Sequence, residues 1–153
     1  MAVITRDALK YDKFREIIGT VRYTIPPTNK KTEARDLWST HRMLTTNRYY
    51  YDGVVGGKTG YTQESKNTLV TVARRGEREL IAVVMKSDNY ADYKDTINLF
   101  DYGFNEFVET SIVPAIAAGK DACVIQDVLN QHQDLKITRL LRKGISPQEI
   151  VLD

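Results

Sequence analysis

Tyr51-Asp52-Gly53-Val54-Val55-Gly56-Gly57-Lys58-Thr59-Gly60-Tyr61-Thr62 is the densest stretch of the chain, with four glycines and a lysine wedged between an aromatic cluster and a segment of strand character. Glycine tolerates positive φ and admits close approach by another backbone, so glycines leading into Lys58-Thr59-Gly60 predict a strand edge that something must approach. A substrate is the natural candidate. The next segments define the sheet to which this edge belongs. Residues 67–74 (Asn-Thr-Leu-Val-Thr-Val-Ala-Arg) and 79–86 (Glu-Leu-Ile-Ala-Val-Val-Met-Lys) are rich in β-branched and apolar side chains, and Arg75-Gly76-Glu77 between them reads as a turn. They predict a hairpin, with the Lys58 segment as a third antiparallel strand before it.

Upstream, residues 3–18 place Val3, Ile4, Leu9, Phe14, Ile17 and Ile18 among charged neighbours, which predicts one amphipathic helix or two short ones broken near Tyr11-Asp12, with Gly19 as a C-terminal cap. Val21, Tyr23 and Ile25 alternate with polar residues until Pro26-Pro27 forbids ladder donation, so residues 20–25 read as a short strand and 26–36 as polar loop. Between Leu37 and Leu44 the pattern is mixed, and Trp38 is the expected buried anchor. Downstream, Tyr93, Ile97, Phe100, Phe104 and Phe107 recur at spacings of three and four, which predicts one helix over residues 90–108 packing on the sheet.

After Pro114 the character changes. Val124, Ile125, Val128, Leu129, Leu135, Ile137, Leu140 and Leu141 predict a helical appendage over residues 111–153, ending near Gly144, with a capping box at Ser146-Pro147-Gln148-Glu149. The fold class is therefore α+β, an antiparallel sheet with packed helices.

Composition sets outer bounds. The 153 residues are 42% hydrophobic and 27% charged, the mixture of a soluble globular domain or a large part of one. A net charge of +2 from 22 basic and 20 acidic residues gives no bulk case for nucleic acid, and Arg42, Arg48 and Tyr49 to Tyr51 do not make an RNA-binding motif. No apolar run is long enough to span a bilayer, and the first residues lack the pattern of a signal peptide. One cysteine, Cys123, excludes an internal disulfide, and with only two histidines it argues against a structural zinc site. No cofactor or metal is expected. His41 reads as a solvent or core histidine, His132 as a surface residue and Cys123 as an inert helix residue.

Lys-Thr-Gly belongs, with Ser-x-x-Lys and Ser-Asp-Asn, to the signature set of β-lactamases and penicillin-binding proteins. With its flanks, residues 51–62 together with 67–86 resemble the final strands of the serine-type D-alanyl-D-alanine carboxypeptidases, the low-molecular-mass penicillin-binding proteins of the peptidase S11 family. Those proteins carry Tyr-Pro-Gly-Val-Asp-Gly-Ile-Lys-Thr-Gly-Tyr-Thr, a Leu-Val strand, a basic turn and a Leu-Ile-Ala-Val-Val strand. The likeness extends back through Ala8-Leu9-Lys10, residues 13–18 and Tyr23-Thr24-Ile25-Pro26, and forward through Asp101-Tyr102-Gly103-Phe104. It implies that residues 1–110 are the C-terminal portion of the catalytic domain.

The resemblance implies roles residue by residue. Lys58 would help hold a substrate carboxylate, Thr59 would donate a hydroxyl hydrogen bond to it, Gly60 would leave room for the substrate to run alongside as an added strand, and Tyr61 would lend its backbone N–H to an oxyanion hole. Asp52, Val55 and Gly57 depart from the usual Pro, Asp and Ile, and the last predicts a looser edge beside the lysine. His41 lies near a position where the family often has Asn.

The nucleophile motif is a different matter. The serines at 39, 65, 87, 111 and 146 are followed three positions on by Arg42, Thr68, Tyr90, Pro114 and Glu149, so Ser-x-x-Lys does not occur, and residues 1–57 hold no Ser-x-Asn. Ser87-Asp88-Asn89 follows Lys-Thr-Gly, the wrong order for the motif, and reads as chance. The expected partner of the complete enzyme is a peptidoglycan stem peptide or a β-lactam, at the extracytoplasmic face of the cell envelope, while this chain alone is expected to be inactive. The alternative is a non-catalytic binding module that self-associates through uncovered sheet.

Overall fold

The computed structural model describes residues 1–88, 91–112 and 137–144, with 109–112 and 137–141 described by backbone alone. Two compact units divide the chain, Met1–Asp101 and Tyr102–Asp153.

The first unit is built on the three-stranded antiparallel sheet that the strand pattern predicts, β3 (Val54–Thr62), β4 (Lys66–Arg75) and β5 (Arg78–Ser87), in that spatial order. The register places Lys58 opposite Val70, Thr59 opposite Leu69 and Gly57 opposite Thr71. Side chains alternate across a strand, so the two faces of β4 separate cleanly. Leu69, Thr71 and Ala73 lie on one face and Val70 and Val72 on the other, and both faces are covered enough that Leu69, Thr71, Val72 and Ala73 are fully buried. The central strand therefore reads as a near-continuous apolar run.

Two short helices precede the sheet, α1 (Ala2–Ala8) and α2 (Asp12–Gly19), broken where the sequence predicts. The joint between them has a definite fastening. Arg15 donates from Nε to the Leu9 carbonyl (2.7 Å) and from both terminal nitrogens to Glu79 on β5 (2.6 and 2.9 Å). Helix α2 ends against β3. A Cβ at Gly56 would meet the Ile18 carbonyl, and one at Gly19 would lie 2.7 Å from the Val55 carbonyl, so at this point it is a helix end, not a substrate, that closely approaches the glycine-rich strand.

A second ribbon pairs β1 (Arg22–Ile25) with β2 (Arg35–Trp38). The second of these strands occupies the end of the segment expected to be loop. It was hidden because its register is held by polar groups, Arg22 with Asp36 (2.7 Å) and Thr24 Oγ1 donating to Asp36. Trp38 is not the buried anchor expected of it. It is 62% exposed, with the Arg22 guanidinium 5.2 Å from its ring centre. A one-turn helix, α3 (Arg42–Thr45), and a 3-10 turn (Asn47–Tyr49) then lead into β3.

Helix α4 (Ala91–Glu106) carries the predicted 3,4 spacing. Tyr93 and Phe100 are buried, Tyr93 edge-on to His41 (6.0 Å) and Phe100 beside Tyr51 (5.3 Å). The helix stops before Phe107, which opens a strand. In the second unit β6 (Phe107–Ile112) pairs antiparallel with β7 (Ile137–Arg142). The helix predicted through Ile137, Leu140 and Leu141 is thus replaced at its end by a strand, because a short apolar run fits either period. The expectations for Cys123, His132, the rest of that helix and the cap at Ser146 fall outside the described residues.

Candidate functional site

Strand β3 pairs with β4 on one side and with no other strand among the described residues, so Lys58 to Tyr61 lie on an open edge. A β-bulge between Val54 and Gly56 re-aims the strand just before this point. The edge fronts a cleft of about 830 Å³ lined by Lys58, Thr59, Gly60, Tyr61, Thr40 and Arg42 among others. All four residues singled out from the sequence are therefore brought together on one wall. Tyr61 is 65% exposed, and a Cβ at Gly60 would meet the Thr68 hydroxyl across the ladder.

Lys58 is exposed, and its Nζ donates to the Thr59 carbonyl (2.6 Å), which holds the ammonium along the strand rather than out in solvent. Thr59 points to the other face and shares a hydrogen bond between hydroxyls with Thr40 (2.8 Å). The edge thus presents a cation and two hydroxyls, Thr59 and Thr40, along a strand with no second strand partner among the described residues.

Behind the edge sits His41, 1% exposed, its Nε2 2.9 Å from the Thr71 hydroxyl. Burial pushes its pKa down to about 4, and the positive charge of Lys58 works in the same direction, so the ring is neutral at physiological pH. The space left by Gly57 is not empty. A Cβ there would lie 2.8 Å from His41 Nε2 and 2.9 Å from Cδ2, besides meeting the Val70 carbonyl. Where the sequence predicts a looser edge, the His41 ring packs against this glycine. Tyr93 supports the arrangement from α4, its hydroxyl accepting from the Arg42 N–H (3.1 Å) and its ring stacking on Tyr49 (4.6 Å).

Thr40 and Thr71 escaped the sequence reading, and His41 was read there as a solvent or core histidine without its role, because their partners are 19, 30 and 16 residues away, respectively Thr59, His41 and Gly57. Tyr51 is buried behind the strand and donates to Asp101 (3.0 Å), with its hydroxyl pushed up to about 12 by burial and that hydrogen bond. Ser87 closes β5 as a buried residue and lines the same cleft. Among the described residues no group of three or more His, Cys, Asp and Glu side chains could hold a metal ion, and no helix is long and apolar enough to cross a membrane.

Comparison with known proteins places this geometry in a family context. The family model for D-alanyl-D-alanine carboxypeptidase, peptidase S11, matches residues 1–89. The D-alanyl-D-alanine carboxypeptidase DacF of Bacillus subtilis is 32% identical over 111 residues, covering 70% of this chain and 26% of its own length. A D-alanyl-D-alanine carboxypeptidase of a Streptomyces species is 33% identical over 105 residues, covering 66% and 35%. Among solved structures, the Streptomyces DD-transpeptidase superposes with a TM-score of 0.58 at 30% identity, covering 67% of this chain and 39% of that one. The D-alanyl-D-alanine carboxypeptidase of Mycobacterium tuberculosis gives 0.52 at 31% identity, covering 67% and 38%. The chain shares their fold and spans well under half the length of each.

Proposed function

The chain belongs to the peptidase S11 family of D-alanyl-D-alanine carboxypeptidases, and from that premise we propose that residues 1–110 form the C-terminal portion of such a catalytic domain, whose β3 edge grips the carboxylate end of a peptidoglycan stem peptide. The observation that carries this reading is the open edge itself, with Lys58, Thr59, Gly60 and Tyr61 in sequence along one wall of a cleft. Lys58 supplies the charge and Thr59 a hydroxyl for the carboxylate. At Gly60 the peptide runs alongside the open edge as an added strand, and the Tyr61 N–H is the oxyanion donor.

The acyl-enzyme step needs a serine nucleophile and a lysine base, and these 153 residues contain no Ser-x-x-Lys. This polypeptide by itself therefore binds without cleaving, and the covalent chemistry belongs to the complete enzyme at the cell envelope. The same edge would seat a β-lactam there.

The test is direct. Titrating the 15N-labelled chain with a D-Ala-D-Ala-terminated peptide moves the amide resonances of residues 58–61, and Lys58→Ala abolishes the shifts; unmoved resonances at millimolar peptide would refute the binding role. Incubation with fluorescent penicillin leaves no covalent label, and a stable adduct would overturn the claim of inactivity.

A second reading rests on a different observation. Ile4, Ile17, Tyr23, Leu37 and Trp38 are each more than half exposed and line an apolar groove of about 990 Å³ with Val70 and Val72 at its floor. Such a surface fits a non-catalytic module that self-associates.

A further inference from the structure

Every strand rung near the site has one side chain from β3 and one from β4 on the same face, except where β3 carries glycine. At the rung of Gly57 and Thr71, the one immediately before Lys58, the missing side chain is supplied from outside the sheet by His41. The imidazole reaches across both strands. Its Nε2 bonds the Thr71 hydroxyl at 2.9 Å while the same edge of the ring lies 2.8 to 2.9 Å from where a Cβ of residue 57 would be. One residue earlier in the same loop, Thr40 bonds Thr59 at 2.8 Å, so consecutive loop residues fasten the strand on both sides of Lys58. The loop is itself anchored, through the Arg42 N–H to the Tyr93 hydroxyl and through the edge-on contact of Tyr93 with the imidazole.

We infer that His41 is a positioning residue for the Lys58-Thr59-Gly60 edge, a buried wedge that fixes the rung of Gly57 and Thr71 and thereby sets the line of the strand to which a substrate would be added. This rests on the substrate-binding reading for its functional meaning, but the mechanical claim stands on its own geometry. The ring suits the task because it is planar, fits between a glycine and a threonine, and keeps a hydrogen bond in its neutral form. An alanine would leave a cavity beside a strand that has a ladder on one side alone. A glutamine can still reach a hydroxyl.

Backbone amide hydrogen exchange of the full chain reads the strand directly, because a local opening of β3 accelerates its own ladder amides and a global loss of stability accelerates all slow amides together. His41→Ala and Thr71→Val should each speed exchange of the ladder amides of residues 57–61 by about tenfold relative to those of β5, and His41→Gln should restore most of the protection. Thr71→Val deletes only the partner hydroxyl and answers the question even if His41→Ala fails to fold. Acceleration shared equally by β3 and β5, or none in either variant, would overturn the inference. Peptide titration separates the two claims. If the unmodified chain binds no D-Ala-D-Ala peptide while exchange is selectively faster in the variants, the substrate reading fails and the wedge stands; if the chain binds and His41→Ala binds equally well with unchanged exchange, the wedge fails and the substrate reading stands.

Discussion

A histidine kept neutral by burial carries a stability cost that appears only in acid. The His41 pKa falls from its ordinary 6.5 to about 4 in the folded chain, so the unfolded chain takes up a proton first as pH drops. Stability is complete above about pH 6.5 and is lost progressively as pH falls to about 4, with a total of about 3 kcal/mol from this one group. Carboxylates titrate in the same range, and the comparison with His41→Gln isolates the histidine. Urea unfolding at pH 7 and pH 4 should show the unmodified chain losing about 3 kcal/mol more than the variant. Equal losses would mean that the ring is not buried as a neutral base. The Lys-Thr-Gly residues were legible in the sequence because their chemistry is local and their order along one strand is their geometry. His41 was legible only as a core or solvent histidine, since nothing in Thr40-His41-Arg42 points to a glycine 16 positions away. Trp38 misled for the converse reason: size predicts burial on average, but a cation over the ring and a two-stranded ribbon can hold it at the surface.

Among the elements, the joint of α1 and α2 on β5 depends on a single side chain. Arg15 caps the Leu9 carbonyl and pairs bidentately with Glu79, 64 residues away, with both side chains only partly exposed. Bidentate, charge-assisted geometry of this kind exceeds an ordinary surface ion pair, and losing it along with the carbonyl bond costs about 2 kcal/mol. Arg15→Ala should lower the urea midpoint accordingly, and Glu79→Gln by a smaller amount because the carbonyl bond survives. The hydrogen bond from Arg15 holds the Glu79 carboxyl below its usual range, so this contribution is present above the unfolded carboxyl pKa and disappears as pH falls through the folded one. An Arg15→Ala chain as stable as the original at pH 7 would contradict the assignment. The three-stranded sheet and α4 were legible from periodicity because each buries apolar side chains, and α1 and α2 from the same spacing although their Val3, Ile4 and Ile17 stay exposed. The strands β2 and β7 were not. The former is written in polar residues whose pairing is with each other, and the latter is a short apolar run that alternation cannot distinguish from a helix turn.

At the scale of the whole molecule, the sheet's two faces have unequal partners. The face of Leu69, Thr71 and Ala73 is closed by His41 and Tyr93, whereas the face of Val70 and Val72 opens into a groove whose rim carries exposed Ile17 and Trp38, at 63% and 62%. Apolar rims of this extent are uncommon on isolated domains, and this is what supports the proposed pairing between copies. Light scattering across a concentration series should therefore show an apparent mass rising above that of one chain. Replacing Ile17 and Trp38 together by serine should return the mass to that of a monomer with little change in unfolding midpoint, since substituting exposed side chains leaves the core intact. The double substitution separates the two proposed roles. Lys58 lines both the apolar groove and the polar cleft, but Ile17 and Trp38 line only the groove, so a monomeric variant that still shifts its 58–61 amides with peptide would show that the edge binds substrate without help from association. A chain that stays monomeric at high concentration before any substitution would remove self-association from consideration and leave the edge strand as the one binding surface the geometry supports.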